Sequence, residues 1–155
     1  MPEQVLKRTD IEAMDGEQKT HFLNENAQRL HKDLGDAAGL KHLGFHLVEI
    51  EPGKDSTELH LHYHEEECIY VLEGEATATI ATESHVVSAG DFLAYPAGGE
   101  PHKLANTGKG ILKYILVGQR LAHDVVDYPD KELRLYRNQG LPWNLVNLAN
   151  IVQPK

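Results

Sequence analysis

From Gly44 onward the chain is built of short runs that alternate apolar and polar positions or concentrate β-branched and aromatic residues: GFHLVEIE, ELHLHYH, CIYVLEG, EATATIAT, HVVSAG, DFLAYPAG, HKLAN and ILKYILVG. Each is long enough for one strand and too short for a helix, so the pattern predicts a series of β-strands. Turn formers punctuate them at Pro52-Gly53, Gly74, Ala89-Gly90, Pro96 through Gly99, and Gly108. Gly90-Asp91 and the Gly98-Gly99 pair suit tight reversals that need φ > 0. Many short strands with no long helix between them predict an antiparallel sandwich or barrel rather than a parallel α/β sheet.

The flanks read differently. Residues 1–43 include NENAQRLHKDLGDAAGL, with weak helical or irregular signals and several glycines, and are expected to form an N-terminal arm packed on the barrel. Residues 44–120 are the barrel domain. Residues 121–155 lose the clear alternation but are too apolar for a free tail, which predicts docking on the barrel or on a neighbouring subunit. No internal repeat or low-complexity segment interrupts the chain.

At 155 residues the chain fits one domain with flanking arms. Its 41% hydrophobic and 25% charged residues are globular proportions. The net charge of −9, with no dense Lys/Arg cluster, sets nucleic acid aside as a partner. Cys68 is the only cysteine, which excludes an intrachain disulfide and a cysteine-built zinc site. The first residues lack the apolar core of a signal peptide, and no apolar run approaches the roughly 20 residues of a membrane helix. A soluble cytoplasmic setting is therefore expected.

Ten histidines change the picture, because three fall at His60, His62 and His64, directly before Glu65, Glu66 and Glu67. Residues two apart on a strand share a face, so the three imidazoles point one way. Same-face neighbours lie roughly 6.6 Å apart and the outer two roughly 13 Å apart, so only one neighbouring pair can converge on an ion. Taken alone, HLHYH is equally a solvated polar face or a ligand pair, and the pair is either His60 with His62 or His62 with His64.

Two longer patterns favour the ligand pair over the solvated face. The segment GKDSTELHLHYHEEECIYVLEG places Gly53, His60, His62, Glu67 and Gly74 in order, and GDFLAYPAGGEPHKLAN places Gly90, Pro96, Gly98, His102 and Asn106. This arrangement resembles the two motifs of the cupin superfamily, G-x5-H-x-H-x3,4-E-x6-G and G-x5-P-x-G-x2-H-x3-N. Two turns are one residue longer than the pattern, before His60 and before His102, while the His-x-His, Glu-x6-Gly and His-x3-Asn spacings are intact. The motifs span residues 53 to 106.

The resemblance implies an all-β, antiparallel double-stranded β-helix, or jelly roll, and a metal held by His60, His62, Glu67 and His102. The shifted register, His62 with His64, leaves only two residues before Glu67, and Glu66 is the weaker alternative to Glu67. Three imidazoles and a carboxylate suit Fe, Mn, Ni, Co or Zn as one divalent first-row ion. Gly74, Gly90 and Gly98 read as turn glycines and Asn106 as a strand-end anchor. Asp124, Tyr128 and Pro129 resemble residues that follow the last strand in a group of bacterial cupins, where fixing the tail is their expected role. Tyr70, Tyr95 and Tyr114 sit on strands as core or cavity residues, and His21, His31, His42, His46, His85 and His123 have no partner pattern.

The fold hosts many reactions, so function rests on the site. The expectation is a metal-dependent enzyme of isomerase, dioxygenase or lyase type acting on a small polar metabolite, such as a sugar or carboxylic acid derivative. His64 and Tyr95 are the candidate proton-transfer residues. The alternative is a small-molecule-binding, sensing or storage protein without catalysis. A homodimer is expected, with the apolar tail from Leu141 to Val152 as a docking surface.

Overall fold

The computed structural model describes residues 2–155. Thirteen strands run in chain order: β1 Glu17–His21, β2 Asn24–Asp33, β3 Leu43–Ile50, β4 Leu61–His62, β5 Glu67–Glu73, β6 Glu75–Ile80, β7 Glu83–Ser88, β8 Phe92–Tyr95, β9 His102–Ala105, β10 Leu112–Gln119, β11 His123–Tyr128, β12 Leu133–Asn138 and β13 Asn144–Asn147. Helix is confined to short pieces such as α1 Arg8–Ala13 and α2 Leu34–Ala37. All pairing is antiparallel, as the strand lengths and turns predict.

One wall of the barrel is a six-stranded sheet in the order β1-β2-β3-β10-β5-β8. The opposite wall comprises β7-β6-β9 and β13-β12-β11-β4. Residues 55–63 stitch its two halves together: Ser56 N–H donates to Leu104 O, His60 and His102 form an isolated bridge, and Tyr63 N–H donates to Val125 O. The expected strand ELHLHYH is thereby reduced to two paired residues, because its first half bonds to β9 and its second half to β11.

Inward positions carry the core. On β10, Leu112 pairs with Ile50 and Tyr114 lies between Val48 and Val71, while Ala76, Ala78 and Leu104 face them from the other wall. The chain turns sharply where Gly74 adopts φ +90°, and a Cβ there would lie 2.6 Å from the Ile111 carbonyl oxygen. Asn106, 1% exposed, donates to Ile50 O and Gly110 O at 2.7 and 2.9 Å and accepts the Gly108 N–H, which anchors the strand end as expected.

The stretch NENAQRLHKD is not helical or irregular. It forms the ten-residue β2, paired with β1 on one side and β3 on the other. The helix signals yield because the backbone groups of β3 need partners along that edge, and pairing satisfies both strands. Its register, His31 opposite Val48, turns Ala27, Arg29 and His31 toward the barrel interior. The C-terminal residues likewise enter a sheet, as β11 to β13.

Candidate metal centre

His60 and His62 project to the same side from the segment that crosses between β9 and β11, and Glu67 comes from the start of β5. One ligand atom from each of these three lies within 4.8 Å of the other two. His102 opens β9 and is bridged to His60 across the strands, with ring centroids 4.7 Å apart. Its ring lies parallel to Tyr95 at 3.6 Å. His102 stands outside the three-residue group and flanks it.

The hydrogen bonds fix which nitrogen each imidazole presents. His60 Nδ1 lies 2.9 Å from Glu58 O, His102 Nδ1 lies 3.2 Å from Glu100 O, and His62 Nδ1 lies 2.6 Å from Asp124 Oδ2. Carbonyl and carboxylate oxygens only accept, so each Nδ1 carries a hydrogen and Nε2 is the nitrogen left for a ligand; on His62 that Nε2 faces Glu67 Oε1 at 3.0 Å and gives up its proton when an ion takes its place. A ligating histidine is usually held this way by an oxygen behind it.

Charge follows the same geometry. Burial lowers the His60 pKa to about 3, helped by the neighbouring His102. Burial would also lower His62, but hydrogen bonds to Asp124 and Glu67 prevail and raise it to about 9. For Glu67, burial works upward and is outweighed by His62, whose Nε2 stands 3.0 Å from Oε1, leaving the carboxyl at about 2. Burial lowers His102 as well.

A divalent ion fits this set. The His102 Nε2 is buried and meets no partner. A buried polar atom without a partner is costly, and here its neighbours are two more presented nitrogens and a carboxylate. The second close group, His62 with Glu65 and Asp124, lies on the Nδ1 side and serves as backing. Its carboxylates are already engaged: Glu65 accepts from Leu121 N–H and Arg137, and Asp124 accepts the backbone N–H groups of His64 and Val125.

His64 stands elsewhere. Its side chain is exposed, and only its backbone N–H takes part, donating to Asp124 Oδ1 at 3.1 Å. Glu66 is also exposed and accepts from Ala97 N–H. The structure therefore groups His60 with His62 and Glu67, and does not add His64 or Glu66. Tyr95 is buried with its hydroxyl unpartnered, and its contact is with the His102 ring.

The ligand group opens into a cavity of about 620 Å³, also lined by Lys19, His21, Arg29, Tyr128, Arg137 and Trp143. Lys19, Arg29, Arg137 and Trp143 went unread in the sequence, and His21 and Tyr128 were named without a place in the cavity, because all six come from outside the motif region. The available signal was the alternation Ala27, Arg29, His31, which is a strand period. Asp124 also does more than fix the tail, since it bonds to His62.

Fold and site together define a jelly-roll barrel with a histidine-rich candidate metal centre in its cavity. The family profile for the cupin domain matches residues 46–118, and the chain belongs to the cupin superfamily. It is similar to a candidate sugar phosphate isomerase from Acidithiobacillus ferrooxidans, with 48% identity over 98% of this chain and 97% of the other, at a TM-score of 0.95. A sugar phosphate isomerase of the cupin superfamily from Silicibacter pomeroyi shares 26% identity over 88% of this chain and 90% of its own, at a TM-score of 0.80. An uncharacterized protein from Methanocaldococcus jannaschii is 39% identical over 66 residues, which are 43% of this chain and 52% of that protein. The match thus spans about half the length of that curated relative.

Proposed function

We propose that this protein is a metal-dependent isomerase of a small phosphorylated sugar, with His60, His62, Glu67 and His102 holding one divalent first-row ion. The observation that carries this reading is that His60, His62 and Glu67 bring one ligand atom each within 4.8 Å of the others on the wall of a cavity large enough for a small metabolite, with the unpartnered His102 Nε2 beside them. The similarity to one candidate and one named sugar phosphate isomerase over most of each chain supports the reaction class. The donor set suits Fe, Mn, Ni, Co or Zn. When bound, the ion supplies a Lewis acid that polarises a substrate carbonyl.

The chain's own groups orient the sugar beside that centre. Tyr128 lies 6.1 Å from His60 between ring centroids, and His21 lies 5.5 Å from Tyr128. Burial, aided by Arg29, lowers His21 to about 4, so it is neutral at pH 7. Its Nδ1 accepts the Leu23 N–H, which leaves the proton on Nε2 as a donor toward a substrate oxygen. Burial raises Tyr128 to about 12, so its hydroxyl also stays a donor. Apolar Leu116, Val126 and Leu135 complete the walls and limit water around the reacting carbons.

The test is turnover of a panel of aldose and ketose phosphates by protein stripped of metal and reloaded with each ion in turn. Activity that appears only on reloading supports the proposal, and equal activity in stripped and loaded protein refutes it. The exposed Leu141, Trp143, Leu145 and Val152 supply the apolar surface for the proposed homodimer, which size-exclusion chromatography with light scattering checks.

A further inference from the structure

Five arginines occur in the chain, and four of them meet a carboxylate: Arg8 meets Glu12, Arg120 meets Asp33 and Asp36, Arg134 meets Asp127, and Arg137 meets Glu65. Arg29 has no carboxylate partner among the described residues. Its Nη1 donates to Ser56 O at 2.6 Å, while its Nε is buried with no acceptor. A guanidinium has five N–H donors in a planar fork, and the protein occupies one of them here. Burial itself disfavours the charge, lowering the Arg29 pKa. An unpaired, partly desolvated cation is costly, so its position needs a compensating group.

The register of β1 on β2 adds a second charge. Lys19 is the direct partner of Arg29, so both side chains leave the same face. Like charges directly opposite destabilise a sheet. Glu17, 3.6 Å from the Lys19 Nζ, is largely exposed, and Glu67 acts on Arg29 only through space without a direct ion pair. Both cations line the cavity that holds His60, His62 and Glu67.

We propose that Arg29 and Lys19 form an oxyanion site that binds the phosphate monoester of the substrate, while the metal centre takes the reacting end. Two cations on one wall match a dianion, and the guanidinium fork matches two phosphate oxygens at once. Arg137 lines the same cavity but is neutralised by Glu65 and stacks over Trp143 at 5.3 Å, so it shapes the wall. The proposal rests on reading the cavity as a sugar phosphate site, and it assigns the group that distinguishes a sugar phosphate from a free sugar.

Trp143 is the only tryptophan and lines this cavity, so its fluorescence reports occupancy. Titrating metal-stripped protein with inorganic phosphate gives a saturable change. Arg29→Gln weakens phosphate binding at least tenfold, Arg29→Lys weakens it less, and Lys19→Gln weakens it severalfold. A His60→Ala, His62→Ala double variant keeps phosphate binding while losing the metal. Circular dichroism checks folding, and if Arg29→Gln does not fold, Arg29→Lys and Lys19→Gln decide the matter.

Equal phosphate affinity in wild type and in the folded variants overturns the proposal, as does the absence of saturation in wild type. Acetate displacing phosphate at equal concentration overturns the assignment to a dianion. Phosphate binding that depends on Arg29, with no sugar phosphate turned over by metal-loaded protein, leaves the oxyanion site standing and removes the isomerase reading instead.

Discussion

Replacing Asp124 by Asn changes one atom and reverses the proton of His62. Asp124 is 1% exposed. Its Oδ1 accepts backbone N–H groups from Val125 at 2.9 Å and His64 at 3.1 Å, while Oδ2 holds the His62 Nδ1–H at 2.6 Å. In an asparagine the oxygen must stay with the backbone donors, since an amide NH₂ there would face two N–H groups. The NH₂ then faces His62 Nδ1, which has to become an acceptor. The neutral ring then keeps its hydrogen on Nε2, the atom aimed at Glu67 and needed by the proposed ion. Loss of a supporting partner behind a ligating histidine typically costs 10- to 100-fold in metal affinity. Because the amide actively selects the wrong tautomer, the effect belongs at the upper end, about 2.7 kcal/mol. Chelator competition with Mn(II) or Zn(II) measures the affinity, and nitrogen chemical shifts of the His62 ring report the tautomer. If the variant binds metal as tightly as wild type, with Nδ1 still protonated, the orienting role of Asp124 is wrong.

His60→Ala is expected to abolish stoichiometric metal binding while His64→Ala preserves it, read by elemental analysis; the opposite result would restore the shifted register. Asn106→Ala removes three hydrogen bonds made by a buried side chain, each worth about 1 kcal/mol net, and should lower unfolding stability by about 3 kcal/mol in a guanidinium titration. A loss below that of an exposed polar substitution would contradict the anchoring role. Acid should weaken the fold through His31, whose pKa burial, and secondarily Arg29, lowers to about 3. Between that value and the ordinary 6.5 the unfolded chain binds a proton that the folded one does not, so stability falls as pH falls. At pH 5 the loss is about 2 kcal/mol relative to neutral pH. His60 and His21, also lowered by burial, act in the same direction, so urea midpoints at pH 7 and pH 5 should differ less in His31→Phe than in wild type, by about 2 kcal/mol.

The eight strands from β3 to β10 were legible because alternation and turn residues are local properties. Glycine at a left-handed turn such as Gly74 and an Asn four residues beyond a histidine are also written in the chain. Strand period put His60, His62 and His64 on one face, and the resemblance to the cupin motifs singled out His60 and His62 with Glu67, which the fold brings together. Local rules gave out in the flanks. Whether NENAQRLHKD becomes helix or strand depends on the unpaired edge of β3, which the segment itself does not encode, and only that pairing turns Arg29 and Lys19 into the cavity. The same holds for Asp124, which reaches His62 across 62 residues of sequence because β11 pairs with β4. By itself the sequence determined the strands and the turns, consequences of backbone period, while its two motifs, through their resemblance to the cupin pattern, pointed to His60, His62 and Glu67. Tertiary structure alone decided which histidine nitrogen faces the site, which arginine lacks a counter-charge and which wall carries it, because charge and tautomer are set by neighbours that only folding supplies.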